Sequence, residues 1–116
     1  MTDATPLDLL VTARAEFQRR LDLVRDDQWD LPTPCEAWTV RQLVEHLVGG
    51  SRMGAALLDG ATAEEGMALL FGTTVDGDPK EAFAQAADAQ EAAFRAPGAA
   101  ERIVHHPRGD MPGAVF

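Results

Sequence analysis

The sequence predicts an all-α fold: an up-down helical bundle of three main helices and a short connector helix, with a fourth helix missing or only begun. Three observations carry this. Apolar residues recur at helical spacing in three long segments, each helical segment opens with a start signature, and Pro, Gly and Asp separate them. With 116 residues the chain has room for one core, so residues 1–116 read as a single helical domain.

The first helix is read over residues 5–27. Thr5 is its N-cap, Pro6 suits the first helical position, and Leu7, Leu10, Phe17, Leu21 and Val24 share a face. Leu31-Pro32-Thr33-Pro34 cannot continue it, because each proline lacks an amide donor and drives its predecessor toward extended geometry. The second helix begins at a capping box, with Thr39 as N-cap and Gln42 at the third helical position. Trp38, just before the cap, is placed to pack on Leu43 as a hydrophobic staple. Val40, Leu43, Val44, Leu47 and Val48 form its buried stripe, and it runs through Gly49-Gly50 to about Leu58, where Asp59-Gly60 stops it.

Thr62-Ala63-Glu64-Glu65 is a second capping box, but Gly66 and Gly72 limit this connector to two turns ending near Phe71. Asp78-Pro79-Lys80-Glu81 opens the third main helix, in which Phe83, Ala87, Gln90 and Phe94 share a face until Pro97-Gly98. A brief Arg102–His105 run then reads as extended. Asp110 followed by Pro112 has the form of another helix start, with only Gly113, Ala114, Val115 and Phe116 after it. Three helices leave one apolar stripe uncovered, since such bundles close best with four, so an open seam is expected.

Composition narrows the function. A net charge of -9 and basic residues that form no cluster larger than Arg19-Arg20 argue against a nucleic-acid partner. No apolar run approaches the roughly 20 residues that span a bilayer. The first residues, MTDATPLDLL, carry acid in place of a basic leader region, so a cytoplasmic location is expected and no membrane association. The lone Cys35 excludes an intramolecular disulfide and an all-cysteine zinc site, and as a small packing residue it lies outside the first turn of the second helix.

His46 is the candidate site residue. Turning about 100° per residue, the helix places it beside Leu43 and Leu47 at the margin of the buried stripe, with Gly50 one turn further leaving space beside the ring. Spacing alone fits a half-buried boundary residue as well as a metal ligand. A metal normally takes three or four protein ligands, and in bundles they project inward from facing helices. Glu45 points away from His46 by about 100°, Glu16 and Asp22 fall among charged neighbours, and His105 and His106 alternate in a loop before Pro107. There is no Ser-His-acid spacing, P-loop, dinucleotide fingerprint or HExxH.

The block of Trp29, Pro32-Thr33-Pro34-Cys35, Trp38-Thr39-Val40-Arg41, Leu43-Val44 and His46-Leu47-Val48-Gly49-Gly50 resembles the DinB-like metal-binding proteins of actinobacteria. The branch is the one related to mycothiol-dependent maleylpyruvate isomerase. Asp78 to Phe94, Pro97-Gly98, His106-Pro107 and Gly109-Asp110-Met111-Pro112 agree with it. The resemblance implies a four-helix bundle holding a divalent metal, commonly zinc, through three protein ligands, of which the second-helix histidine matches His46. The other two come from a last helix that this sequence does not contain, so the resemblance implies an amino-terminal fragment with an incomplete metal site. Isomerase or transferase activity, with mycothiol as the small-molecule thiol cosubstrate, would then belong to a longer form.

Two other readings remain. One is a catalytically silent helical module that dimerises or binds a protein partner through its open apolar seam. The other, resting on charge alone, is a small acidic protein that sequesters a basic partner.

Overall fold

In the computed structural model, residues 5–34 and 37–116 are described, so Cys35 lies outside the described residues. Four helices run in chain order: α1 (Pro6–Leu21), α2 (Val40–Leu58), α3 (Ala63–Gly72) and α4 (Pro79–Arg95). A two-stranded hairpin follows, β1 (Ile103–His106) and β2 (Gly109–Pro112). The mostly helical fold agrees with the sequence. Both capping boxes read from the sequence form, on Thr39 with Gln42 and Thr62 with Glu65, and the Thr5 cap proves to be a third, with Asp8. Asp78 caps α4 by accepting the Lys80 amide at 3.0 Å.

Two boundaries differ from the sequence reading. First, α1 stops at Leu21, short of residue 27. Leu23 N–H bonds Arg20 O and Val24 N–H bonds Leu21 O, a tightened last turn that closes the helix, and a separate 3₁₀ turn follows at Asp26–Gln28. Val24 keeps its apolar spacing because it still packs on the core from outside the helix.

The second difference is a correction. Asp110 and Pro112 do not start a helix; they lie in β2, which pairs antiparallel with β1 in the register Ile103↔Pro112, Val104↔Met111, His105↔Asp110 and His106↔Gly109. The Arg102–His105 run supplies the partner strand. Gly109, at φ 125°, adopts a backbone conformation that side-chain-bearing residues rarely reach, which lets the chain reverse after Arg108.

Helix α2 is the spine. It packs on both α3 and α4, and it contributes to two clusters of buried side chains. One joins Val44 and Val48 to Leu21, Trp29, Val75 and Phe83; the other joins Leu57 and Leu58 to Ala99 and Val104. Gly49 makes the α2–α3 crossing possible: a Cβ there would lie 2.7 Å from Leu70 O and 2.9 Å from Leu69 O.

Helix α1 packs on α4, where Phe17 meets Phe83 edge-on at 4.6 Å and Arg14 pairs with Asp88. Between α1 and α2 the chain leaves a trough of about 260 Å³ lined by Leu10, Ala13, Phe17, Leu47, Phe83 and Ala87 among others. Residues of α4 line it together with those of α1 and α2. Among the described residues, no helix is long and apolar enough to cross a membrane.

Candidate functional site

The site begins with the loop ahead of α2. A helix leaves its first amide groups without intrahelical partners, and here the Pro-rich loop folds back to supply them. Val40 N–H bonds Leu31 O and Arg41 N–H bonds Trp29 O, both at 2.9 Å. Gln42 N–H bonds the Thr39 hydroxyl at 3.3 Å. Thr33 donates from its amide and its hydroxyl to Trp38 O, at 3.2 and 2.9 Å, and Pro32 bridges Thr39. These bonds fix where α2 starts, how it is rotated and where Trp38 stands.

Trp38 packs on the His46 ring. Its indole centroid lies 4.7 Å from the His46 ring, at a tilt of 34°, whereas Leu43 lines a groove with Phe17, Leu21 and Val24 of the α1 side. Phe71, at the end of α3, approaches the same imidazole at 6.1 Å. The result is a cleft of about 170 Å³ lined by Trp38, Gln42, Glu45, His46, Leu70, Phe71 and Thr73. His46 therefore sits at the α2–α3 corner, beside the end of the connector helix. The core between α1 and α4 is met instead by Val44 and Val48.

The imidazole is half-buried and is framed by ring faces. Among the described residues neither of its nitrogens takes part in a hydrogen bond. A neutral imidazole in this state keeps one lone pair and one N–H for a ligand, and so can ligate an ion or exchange a proton with an incoming acidic group.

Glu45 lines the cleft too, although helical rotation aims it away from His46. Its carboxylate is committed: Val75 N–H donates to Oε2 at 2.7 Å. Arg41 donates to the Val75 carbonyl from Nη1 at 2.9 Å, with its guanidinium 6.0 Å from the centre of the Trp29 ring.

The remaining sequence candidates lie elsewhere. His105 sits on the hairpin and bonds Asp110 from Nδ1 at 2.9 Å. His106 Nδ1 accepts the Arg108 amide at 3.1 Å, and its ring rests 5.6 Å from Phe116. Glu16 is exposed and paired with Arg19 and Arg20, and those two guanidiniums, Arg19 first, hold its carboxyl below the usual carboxylate range. Asp22 accepts from Gln18 Nε2 at 2.9 Å. Among the described residues no three His, Cys, Asp or Glu side chains gather into a group that could hold a metal ion.

Sequence reasoning passed over Phe71, Thr73 and Arg41 as parts of this site. Phe71 did carry a signal, being a large aromatic at the end of the connector helix; it remains 68% exposed on the cleft wall.

Fold and cleft together define a helical module that presents an imidazole beside two aromatic rings, without a hydrogen bond among the described residues. The chain belongs to the mycothiol maleylpyruvate isomerase N-terminal domain family, whose model matches residues 10–114. It is similar to the proteins printed as "Uncharacterized protein Rv0738" and "Uncharacterized protein MT0763", from two strains of Mycobacterium tuberculosis. Each is 32% identical over 115 residues, covering 96% of this chain and 57% of the relative. The chain thus spans little more than half the length of the curated relatives it matches. No solved structure matches it.

Proposed function

We propose that this chain is the histidine-bearing part of a divalent-metal-binding helical protein related to mycothiol-dependent isomerases and transferases. Zinc is the metal we assign, mycothiol the thiol cosubstrate, and His46 the ligand contributed by this chain. The supporting observation is the His46 imidazole, set beside the Trp38 and Phe71 rings at 4.7 and 6.1 Å and free of hydrogen bonds among the described residues. Family membership supports the thiol half of the reading.

A complete zinc centre of this kind needs three protein ligands and an open position. The described residues bring no such set to His46, and the neighbouring carboxylate of Glu45 is engaged by Val75. The described residues do not fit a whole metal centre, and in this reading the remaining donors are supplied from outside them. No chemical step through a metal follows from this chain alone.

The test is calorimetric titration of the 116-residue chain with zinc, beside a His46→Ala variant. Weak binding that disappears in His46→Ala is expected. Tight stoichiometric binding would refute the incomplete site, and binding indifferent to His46→Ala would refute the ligand assignment.

A second reading rests on the trough between α1 and α2, an apolar surface of the kind that marks an association site. There the chain is a silent module that pairs with a second copy. Sedimentation decides it: a dimer abolished by Leu47→Asp supports pairing through the trough, and a monomer at high concentration removes it.

A further inference from the structure

Arg41 and Glu45 stand one turn apart on α2 and therefore on one face. Both side chains reach the same residue. Glu45 takes the Val75 amide proton at 2.7 Å and Arg41 donates to the Val75 carbonyl at 2.9 Å. Arg41 also approaches Gly77 O at 3.5 Å. Val75 is itself buried in the cluster with Trp29 and Val44, so its peptide groups have little water to turn to.

The gripped stretch is the connection from α3 to α4, and immediately ahead of it come Phe71 and Thr73, which form the cleft wall facing His46. Thr73 continues the wall by donating its hydroxyl to Leu69 O at 2.7 Å. From this we infer that Arg41 and Glu45 are positioning residues of the His46 cleft: they hold Val75 by both its peptide groups and thereby set how far Phe71 and Thr73 stand from the imidazole. Glu45 acts as a tether in this arrangement, although its place beside a histidine invites assignment as a ligand. Hydrogen bonds in which one partner is charged are roughly twice as strong as neutral ones, and both ends of the grip are of this kind.

The inference rests on the cleft being the site, but its test uses no metal and no thiol, so it stands or falls separately from the proposed function. Amide hydrogen exchange at Val75 and diethyl pyrocarbonate modification of His46 are measured in wild type, Glu45→Ala, Glu45→Gln and Arg41→Ala, each in a His105→Ala, His106→Ala background. Glu45→Ala should speed Val75 exchange about tenfold, the effect of losing one charge-assisted bond, and should raise the modification rate of His46. Glu45→Gln keeps an acceptor oxygen without the charge and should fall between wild type and Glu45→Ala. Arg41→Ala should raise His46 reactivity with a smaller change at the Val75 amide.

Equal His46 reactivity in wild type and Arg41→Ala overturns the inference, whether or not Glu45→Ala folds. So does Val75 exchange in Glu45→Gln as fast as in a folded Glu45→Ala, because the acceptor oxygen would then be irrelevant.

Discussion

Two regions of the molecule carry histidine, and the protein treats them differently. On the hairpin, His105 bonds the carboxylate directly opposite it in the register, and His106 accepts the Arg108 amide two residues on. In the α2–α3 cleft, His46 stands beside the Trp38 and Phe71 rings, and among the described residues neither of its nitrogens has a hydrogen-bond partner. The imidazoles are chemically the same. The hairpin uses ring nitrogens to secure its own turn, whereas the described residues of the cleft leave those of His46 unbonded, and the proposal for His46 rests on that difference.

The largest disturbance to the comparison should come from Gly49→Ala. The added methyl would fall 2.7 and 2.9 Å from two backbone carbonyl oxygens of α3, atoms that cannot swing aside as a side-chain tip can. Overpacking of this sort costs about 1–3 kcal/mol. The relief available is for α3 to move off α2, carrying Phe71 away from His46. Urea denaturation should show the loss, while NMR signals of His105 and Asp110 stay put. A variant as stable as wild type, with the Phe71 signals unmoved, contradicts this account of the crossing.

That glycine marks a limit of sequence reading. Gly49-Gly50 could be seen, but not which of the two meets another backbone, since Leu69 and Leu70 reach it only through the tertiary turn between α2 and α3. Helix starts were legible because a cap is a local bond: Thr5, Thr39, Thr62 and Asp78 all cap within three residues. The hairpin was misread for the opposite reason. Asp110 before Pro112 satisfies the local pattern of a helix start, and what overrides it is the edge of β1 several residues back. His46 could be singled out, yet its surroundings could not, because Phe71 and Thr73 arrive from another helix.

Next in size is Thr39→Ala. The hydroxyl accepts the Gln42 amide, and Gln42 Oε1 accepts the Thr39 amide at 2.9 Å. Removing a threonine cap costs about 1 kcal/mol, to be read from urea midpoints. Since the same turn carries Trp38, the ring contact with His46 should loosen too, visible as a shift of the Trp38 indole N–H signal. An unchanged signal would show that the loop holds Trp38 without the cap.

The two histidine substitutions sharpen the comparison directly. His105→Ala removes an exposed pair, whose contribution to stability is about 0–1 kcal/mol, and should leave zinc or thiol responses intact. His46→Ala should cost little stability, having no hydrogen bond to lose among the described residues, and should erase any zinc response the proposal expects. If the outcomes were exchanged, His105 carrying the ligand response, the assignment of roles would be reversed.

The smallest effect is one of pH, and it acts on the cleft through α3. The Thr62 backbone amide, followed by the Thr62 side chain, holds the Glu65 carboxyl below its ordinary value. A carboxylate depressed in the folded state contributes stability that is fully present above its unfolded value and is lost as pH falls through its folded value. The first turn of α3 should therefore be insensitive to pH near neutrality and loosen only in acid, at and below the ordinary carboxylate range. Amide exchange at Glu65 and Gly66, corrected for the intrinsic pH dependence of exchange, would follow this, and Glu65→Gln, which retains the capping oxygen without the charge, should flatten the profile. Because Phe71 rides on the same helix, acid loosening of α3 that leaves the Phe71 contact with His46 untouched would mean that the cleft wall is held from its far end, by Val75, more firmly than by the helix that carries it.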